Sequence, residues 1–301
     1  MTTAPVAATS AASRTRTRRG PGFLGRLPIH LVIVFLMLIW LIPTIGLLVN
    51  SLRPPDEVTK SGWWTALFNP SQLTLDNYRY VLAQDSITSG FINSLFISIP
   101  ATIIPIMVAA FAAYAFAWMS FPGRDVLFIL VVGLLVVPLQ STFIPILQLY
   151  GPKGLNIAGS FLAVWLAHTG YGLPFAIFLL RNFMGDLPRE VFESAAIDGA
   201  SPVTAFFRLA LPMTIPAIAA LAIFQFLFVW NDLLVALIYL GAQNPDNAPL
   251  TIVVSNLVSS LGGGWQYLAA AAFVTMAVPL IVFLGLQRYF VRGIVGGSVK
   301  G

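Results

Sequence analysis

Long apolar stretches, separated by short polar segments, dominate this chain. Runs of about 20 apolar residues or more, enough to cross a bilayer as a helix, fall at roughly 29–49, 91–117, 126–150, 157–182, 213–240 and 265–291. The pattern predicts an all-α polytopic membrane protein with six transmembrane helices. Each proline inside these spans removes a backbone hydrogen bond and bends its helix. The prolines concerned are Pro138, Pro145, Pro174, Pro216 and Pro279.

Composition supports a membrane protein and narrows its chemistry. The chain is 58% hydrophobic and 9% charged, with a mean hydropathy of +0.87, whereas soluble domains carry about 25% charged residues. It has no cysteine and two histidines, His30 and His168, which argues against a metal site and against a Cys/His nucleophile. No clustered acid/base constellation is visible, so an embedded enzyme is disfavoured.

The distribution of Lys and Arg predicts the orientation, because basic residues concentrate in cytoplasmic segments. Basic residues gather in the N-terminal tail, in the second and fourth connections between spans, and after the last span; these are Arg14, Arg16, Arg18, Arg19, Arg26, Arg124, Arg181, Arg189, Arg208, Arg288, Arg292 and Lys300. The opposite side has only Arg53, Lys60, Arg79 and Lys153. We expect both termini and the 183–213 connection to be cytoplasmic.

Three regions follow from this organisation. Residues 1–28 form a basic tail, which we expect to be disordered and to touch anionic lipid rather than nucleic acid. Arg18-Arg19 before an apolar run resembles a twin-arginine signal, but the run is too long for a signal peptide and should stay as an anchor. Residues 29–291 form the membrane domain, with an irregular outer loop at 50–90, and 292–301 form a C-terminal cytoplasmic tail.

The 183–213 connection has the signals of two short helices joined at a glycine. Asp186 is a candidate N-cap for the first helix, and Glu190 and Glu193, three residues apart, lie on one face of it. Asp198-Gly199 interrupts this helix because glycine accepts a positive φ. Ser201-Pro202 then opens the second helix, whose apolar residues suit packing into a groove, and Leu211-Pro212 ends it. We call residues 188–212 the elbow.

The motif from Glu193 to Pro212 resembles the cytoplasmic coupling loop of binding-protein-dependent ABC importers. That family's motif is Glu-Ala-Ala, two residues, Asp-Gly-Ala, and later Leu-Pro; Ser194 replaces the first Ala here. The matching residues are Glu193, Ala195, Asp198, Gly199, Ala200, Phe206, Leu211 and Pro212. The resemblance implies that the elbow, with Glu190 beside it, seats in a cleft of an ATPase subunit. This chain has no phosphate-binding loop of the Gly-x-x-x-x-Gly-Lys-Ser/Thr type, so it is predicted to hold no cofactor itself, and ATP would be hydrolysed by partner subunits.

The resemblance covers nearly the whole chain and is strongest to maltose-type sugar permeases. It rests on short strings that include Thr74–Tyr78, Asn93-Ser94, Phe121–Arg124, Val137–Gln140 and Trp230–Asp232. His168–Pro174 and Val291–Lys300 are most similar to α-glucoside permeases. The implied fold is the transmembrane domain of a type I ABC importer in the bacterial inner membrane. The implied partners are a sister permease, two ATP-binding subunits and an extracytoplasmic solute-binding protein; the implied mechanism is alternating access, with the tail at 296–301 reaching the ATPases.

Polar residues inside the predicted spans are candidates for a sugar path, since an intramembrane polar group suggests function. They are His168, Gln140, Gln148, Gln225, Asn231 and Asp232. Such residues more often join helices than contact substrate, and Asp232, which should lie near the outer interface, favours helix pairing or support of an outer gate. The alternative function is a self-sufficient secondary transporter or channel. That alternative predicts ion-coupling carboxylates near the midplane, and Asp232 is the only acid in any predicted span.

Overall fold

The computed structural model describes residues 23–241, 245–257 and 263–298. The chain divides into two compact units, residues 1–46 and residues 47–301. The first helix begins at Phe23, inside the predicted basic tail, and the last one continues to Ser298, inside the predicted C-terminal tail. The remainder of both tails, 1–22 and 299–301, lies outside the described residues.

Helices are the regular secondary structure of the described residues, which contain no strand. Five of them are long and apolar enough to cross a membrane, and a bent pair makes a sixth candidate span, which agrees with the predicted number. The long helices are α1 (Phe23–Ser51), α5 (Asp85–Trp118), α8 (Phe161–Gly185), α11 (Leu211–Trp230) and α14 (Trp265–Ser298). Shorter helices are α2 (Pro55–Lys60), α3 (Thr65–Phe68), α4 (Asp76–Leu82), α6 (Arg124–Gly133), α7 (Phe143–Tyr150), α9 (Arg189–Ile197), α10 (Pro202–Ala205), α12 (Leu234–Leu240) and α13 (Leu250–Ser255).

The predicted third span is broken rather than continuous. Its two halves, Arg124–Val136 and Leu139–Tyr150, meet at 99°. The break falls at Val137-Pro138, where both residues have extended backbone angles. A residue before proline is driven out of the helical region, and proline itself donates no backbone hydrogen bond. The bend therefore has a local cause in the sequence.

The predicted fifth span is also divided. Helix α11 ends at Trp230, and the separate helix α12 begins at Leu234. Asp232 thus lies in the break between two helices, not within a helix as the span 213–240 had suggested. Long apolar runs lie on both sides of the polar pair Asn231-Asp232, so the hydropathy of the whole span did not reveal the break.

Close packing of α5 against α8 and α11 forms the centre of the second unit. Alanines at the contacts are almost fully buried, among them Ala101, Ala109, Ala113, Ala163 and Ala167. Small side chains let helix backbones approach closely, which is the main source of helix association in lipid. Large apolar side chains remain exposed on the outer faces of α1, α5, α6, α11 and α14, as expected of surfaces that face lipid or partner subunits.

The loop at 50–90 is ordered around a buried arginine, which corrects the prediction of an irregular segment. The Arg53 side chain is fully buried, and its guanidinium donates hydrogen bonds to the carbonyl oxygens of Glu57 (2.7 Å) and Ser61 (3.0 Å). These carbonyls end helix α2, where a cation is favourable. Asn77 closes the loop by donating to the carbonyls of Ser51 and Arg53, at 2.9 and 2.7 Å.

Candidate functional site

The elbow at 188–212 begins with α9, which ends in a glycine cap. Gly199 has φ +81°, so the predicted positive φ is confirmed. Its N–H donates to the Ala196 carbonyl (3.1 Å), and the N–H of Ala200 donates to the Ala195 carbonyl (2.9 Å). This pair of bonds is the Schellman arrangement, which stops a helix and turns the chain sharply. Asp186 does not cap α9 as predicted; it ends α8 instead, and Pro188 precedes α9 without a side-chain cap.

The second half of the elbow runs into the membrane without a stop. Ser201 caps α10 as predicted, since its Oγ accepts the Thr204 N–H at 3.2 Å. A π-helical turn, Phe206–Ala210, joins α10 to α11, giving one apolar helix from Pro202 to Trp230. Leu211-Pro212 therefore does not end the helix; Pro212 is the second residue of α11 and directly follows the π-helical turn. The missing N–H of Pro212 leaves the Arg208 carbonyl without its α-helical partner and favours the wider turn.

Two aromatic contacts fasten the elbow to α5. Phe192 of α9 stacks on Trp118, with ring centroids 3.9 Å apart, and Trp118 Nε1 donates to the Met184 carbonyl at the end of α8 (2.9 Å). Phe206 stacks on Phe111 at 4.8 Å. It is only 3% exposed, so it is an internal anchor and not the docking residue that the sequence suggested. Ala210 is likewise buried.

The opposite face of the elbow is exposed and mixes acidic with apolar groups. Glu190, Glu193 and Asp198 are exposed, and none of them forms an ion pair within the described ranges. Ile197 is 87% exposed and Val203 65% exposed. The remaining predicted coupling residues differ in exposure. Pro212 is exposed, while Ala195, Ala200 and Leu211 are half-buried. The elbow thus presents three carboxylates beside large apolar side chains.

His168 and Asp232 meet at a junction of three helices. His168 in α8 is 1% exposed, and its Nε2 lies 3.8 Å from Asp232 Oδ2. That same carboxylate oxygen accepts the N–H groups of Val235 (2.9 Å) and Ala236 (3.2 Å), so Asp232 caps α12. The Asp232 carbonyl accepts the Thr251 hydroxyl at 2.8 Å. Both side chains of the pair face the interior of this chain.

A small polar cavity adjoins this junction. Its volume is about 10 Å³, and its lining includes Ser98, His168, Trp230 and Asp232. Ser98 Oγ, His168 Nδ1 and Trp230 Nε1 are buried without a hydrogen-bond partner in the described structure. A cavity of this size with several polar atoms is large enough for one water molecule. The junction has no room for a sugar.

The other predicted path residues are dispersed. Gln225 of α11 is 7% exposed, and its Nε2 donates to the Ala101 carbonyl of α5 at 3.1 Å. Gln140 is exposed at the bend of the third span, Gln148 is exposed on α7, and Asn231 donates to the Leu227 carbonyl of its own helix at 2.8 Å. The structure therefore joins only His168 and Asp232.

Sequence reasoning overlooked an aromatic groove between α8 and α11. Its volume is about 330 Å³, and its lining includes Tyr171, Gly172, Phe175, Phe224, Gln225 and Phe228. Tyr171 and Gly172 belong to the string 168–174 that had been singled out for its similarity to α-glucoside permeases. The phenylalanines were hidden because they carry the same apolar signal as any residue of a membrane span. Within the residues that the structure describes, no group of three or more His, Asp or Glu could hold a metal ion.

Comparison with protein families gives one match that spans most of the chain. Residues 87–296 match the family described as binding-protein-dependent transport system inner membrane component. The match includes the elbow, the His168–Asp232 junction and the aromatic groove. It leaves out α1 and the loop that follows.

Two relatives are similar over almost their full length. The chain is 56% identical to the osmoprotective compounds uptake permease protein GgtD of Synechocystis sp., covering 94% of this chain and 95% of the relative. It is 42% identical to the alpha-glucoside transport system permease protein AglG of Rhizobium meliloti, covering 91% and 97%. A chain of a bacterial ABC transporter that imports the acidic polysaccharide alginate has the same fold, with a TM-score of 0.71, 18% identity, and coverage of 89% and 96%.

Proposed function

Because this chain belongs to the family of binding-protein-dependent transport system inner membrane components, we propose that it is the permease subunit of an ATP-driven sugar importer. In this role it forms half of a translocation pore with a sister permease. Two ATP-binding subunits supply the energy, and an extracytoplasmic solute-binding protein delivers the sugar. The observation that carries the proposal is the elbow, an exposed acidic and apolar surface on a helix that continues into a membrane span.

Coupling through the elbow has a simple mechanical basis. An ATPase that grips the exposed face of α9 and α10 acts on an element fastened to α5 by Phe192 and Phe206. Since α10 continues into α11, a push on the elbow moves a membrane helix directly. We propose that this movement alternates the pore between inward-facing and outward-facing states. Glu190, Glu193 and Asp198 are suited to pair with basic residues of the ATPase.

Gly199 provides the test of coupling. Its φ of +81° is unfavourable for any residue with a Cβ by roughly 1–2 kcal/mol and impossible for proline. We expect Gly199→Ala to weaken ATPase co-purification and sugar uptake, and Gly199→Pro to abolish both, with membrane insertion unchanged. Gly185→Ala is the matched control, since a Cβ there meets nothing within 4 Å and its φ is not left-handed. Normal coupling in Gly199→Pro would refute the role of the elbow.

The relatives suggest two classes of substrate. AglG is named for α-glucosides, and GgtD, the relative with the higher identity of the two, is named for osmoprotective compounds. We propose a sugar, and an α-glucoside first, because Tyr171 and Gly172 in the groove belong to the string that is similar to α-glucoside permeases. Osmoprotective compounds are the second class to test.

A pull-down followed by uptake measurement tests the whole assignment. The tagged chain is purified in detergent from its native host, and the stoichiometry of each co-purifying protein is determined. We expect one sister permease and two copies of an ATPase, and the reconstituted complex should take up a labelled α-glucoside only with ATP. A homo-oligomer without an ATPase would contradict the proposal and favour a self-sufficient secondary transporter.

A further inference from the structure

Arg181 lies near the predicted cytoplasmic end of α8 without an acidic partner. Its guanidinium carbon is 4.8 Å from the centroid of the Phe128 ring on α6, and its Nε is buried without a hydrogen-bond partner. The hydrogen bond described for this side chain is a long one, 3.4 Å from Nη1 to Asn182 Oδ1. Among the described residues Arg181 forms no ion pair. Because a guanidinium is permanently charged, this cation lacks a counter-ion within the described chain.

Arg124, on the same predicted side of the membrane, already has an acidic partner. It is the first residue of α6, and its Nε lies 3.1 Å from Asp125 Oδ1. Its Nη1 donates to the Met119 carbonyl at 3.3 Å. Arg124 precedes Phe128 by four residues, so it lies one helical turn from that ring on the same face of α6. The two arginines therefore carry the same charge but differ in whether that charge is paired.

The length of α8 places Arg181 at the edge of the bilayer. The helix has 25 residues, which span about 37 Å at about 1.5 Å per residue, whereas the hydrocarbon core is about 30 Å thick. A centred helix therefore extends a few ångströms beyond the core at each end. Arg181 precedes Gly185, the last residue of α8, by about 6 Å. An arginine at this depth extends its charged end to the level of the lipid phosphates.

The surface beside this cation is apolar. On α6, Val126, Ile129 and Leu130 are 64, 68 and 62% exposed, and their spacing places them on one face of the helix. Phe178 lies one turn before Arg181 on α8 and is 38% exposed. A positive charge at the phosphate level thus adjoins large apolar side chains on the membrane side.

A ligand that fits this surface combines an anion with apolar chains. A phospholipid of net negative charge meets both requirements, whereas a small aqueous anion meets only the first. Phosphate oxygens accept charge-assisted hydrogen bonds from a guanidinium. We propose that Arg181, held in place by its contact with Phe128, binds the headgroup of an anionic phospholipid of the inner leaflet, and that the acyl chains lie along the exposed face of α6. The lipid supplies the missing counter-ion, and the cation–π contact orients the guanidinium towards it.

Native mass spectrometry of the assembled transporter tests this site. Phosphatidylglycerol and phosphatidylcholine with the same acyl chains are titrated separately, since both contain a phosphate but only the first has a net negative charge. We expect the wild-type complex to retain one phosphatidylglycerol more than the Arg181→Gln complex at the same lipid concentration. Saturation of that position should need about tenfold more lipid in the variant, because a charge-assisted contact is lost. Phosphatidylcholine binding should not change.

Arg124→Gln is the matched control, because it removes the same charge from the same side of the membrane. Arg124 is paired with Asp125, so this variant should keep the wild-type number of phosphatidylglycerol molecules. Arg181→Lys keeps the charge and should bind phosphatidylglycerol within about threefold of the wild type. If Arg181→Gln does not assemble, Phe128→Leu takes its place: it keeps the charge, removes the ring, and should need about threefold more lipid.

Three results would overturn the proposal. Equal loss of phosphatidylglycerol in Arg124→Gln and Arg181→Gln would show that net charge, and not this site, attracts the lipid. Displacement of the lipid by glycerol 3-phosphate would identify a site for free phosphate esters. Loss of the sister permease from Arg181→Gln, with phosphatidylglycerol binding unchanged, would mean that Arg181 meets a carboxylate of that subunit.

Discussion

Several polar side chains inside the described part of this protein form hydrogen bonds to the backbone of a neighbouring segment. Asn93 donates to the carbonyls of Asp246 (2.8 Å) and Ala248 (3.1 Å), and the neighbouring Ser94 accepts the Leu250 N–H at 2.8 Å. These bonds hold the start of α13 against α5. Such contacts satisfy backbone groups that lipid and apolar side chains cannot. A polar residue in a predicted span is therefore weak evidence for substrate contact until its partners are known.

Asp232 gives a prediction at this scale. Its carboxylate caps α12 through the N–H groups of Val235 and Ala236. Asp232→Ala should destabilise the purified chain by about 1–2 kcal/mol, whereas Asp232→Asn keeps an acceptor and should lose less than half of that. Thermal unfolding in detergent measures both variants. Equal destabilisation by the two would show that the charge facing His168 matters more than the cap.

At the scale of elements, the elbow contacts α5 at two separate points. The Schellman turn at Gly199 separates the two contacts, Phe192 on one side and Phe206 on the other. The π-helical turn then carries α10 into α11. A short helix of this size is not stable alone in water, so α9 depends on its aromatic contact.

Removal of that contact should release α9. Phe192 is 8% exposed, and Phe192→Ala should cost about 3–5 kcal/mol of local stability. Hydrogen exchange of α9 should become faster, and ATPase co-purification should fall, while α5 and α8 remain protected. Trp118→Phe keeps the stacking and loses only the bond to the Met184 carbonyl, so it should cost about 1 kcal/mol. Unchanged exchange in Phe192→Ala would refute the anchoring role.

At the scale of the whole molecule, the sequence makes a definite prediction of orientation. The elbow and both termini are expected in the cytoplasm, and the loop at 50–90 outside. Ile197 in the elbow and Phe68 in the loop are 87 and 86% exposed. Matched positions of equal exposure are therefore available on the two predicted sides.

Cysteine labelling in intact cells tests this orientation. A membrane-impermeant maleimide should label Phe68→Cys from outside and should leave Ile197→Cys unlabelled until the cells are opened. The wild-type chain, which has no cysteine, is the background control. The reverse labelling pattern would invert the topology and remove the elbow from the ATPase side.

The sequence by itself determined the number of candidate spans, the elbow with its glycine turn, and the family. These follow from signals that are local: apolar runs of bilayer length, a cap followed by proline, and a glycine that permits a positive φ. The tertiary structure decided which side chains of the elbow are exposed and which are buried. Phe206 and Ile197 look alike as apolar residues of one motif, yet one is 3% and the other 87% exposed.

The same distinction applies inside the membrane. Only packing revealed that His168 and Asp232 lie side by side, and that the Gln225 amide lies against Gly172 beside a groove lined by aromatic rings. In a span where nearly every residue is apolar, the periodicity of the sequence says little about the direction in which each side chain points. Lipid, a neighbouring helix and a partner subunit all accept the same apolar side chains. Contacts between distant segments set that direction, and they exist only once the helices have packed.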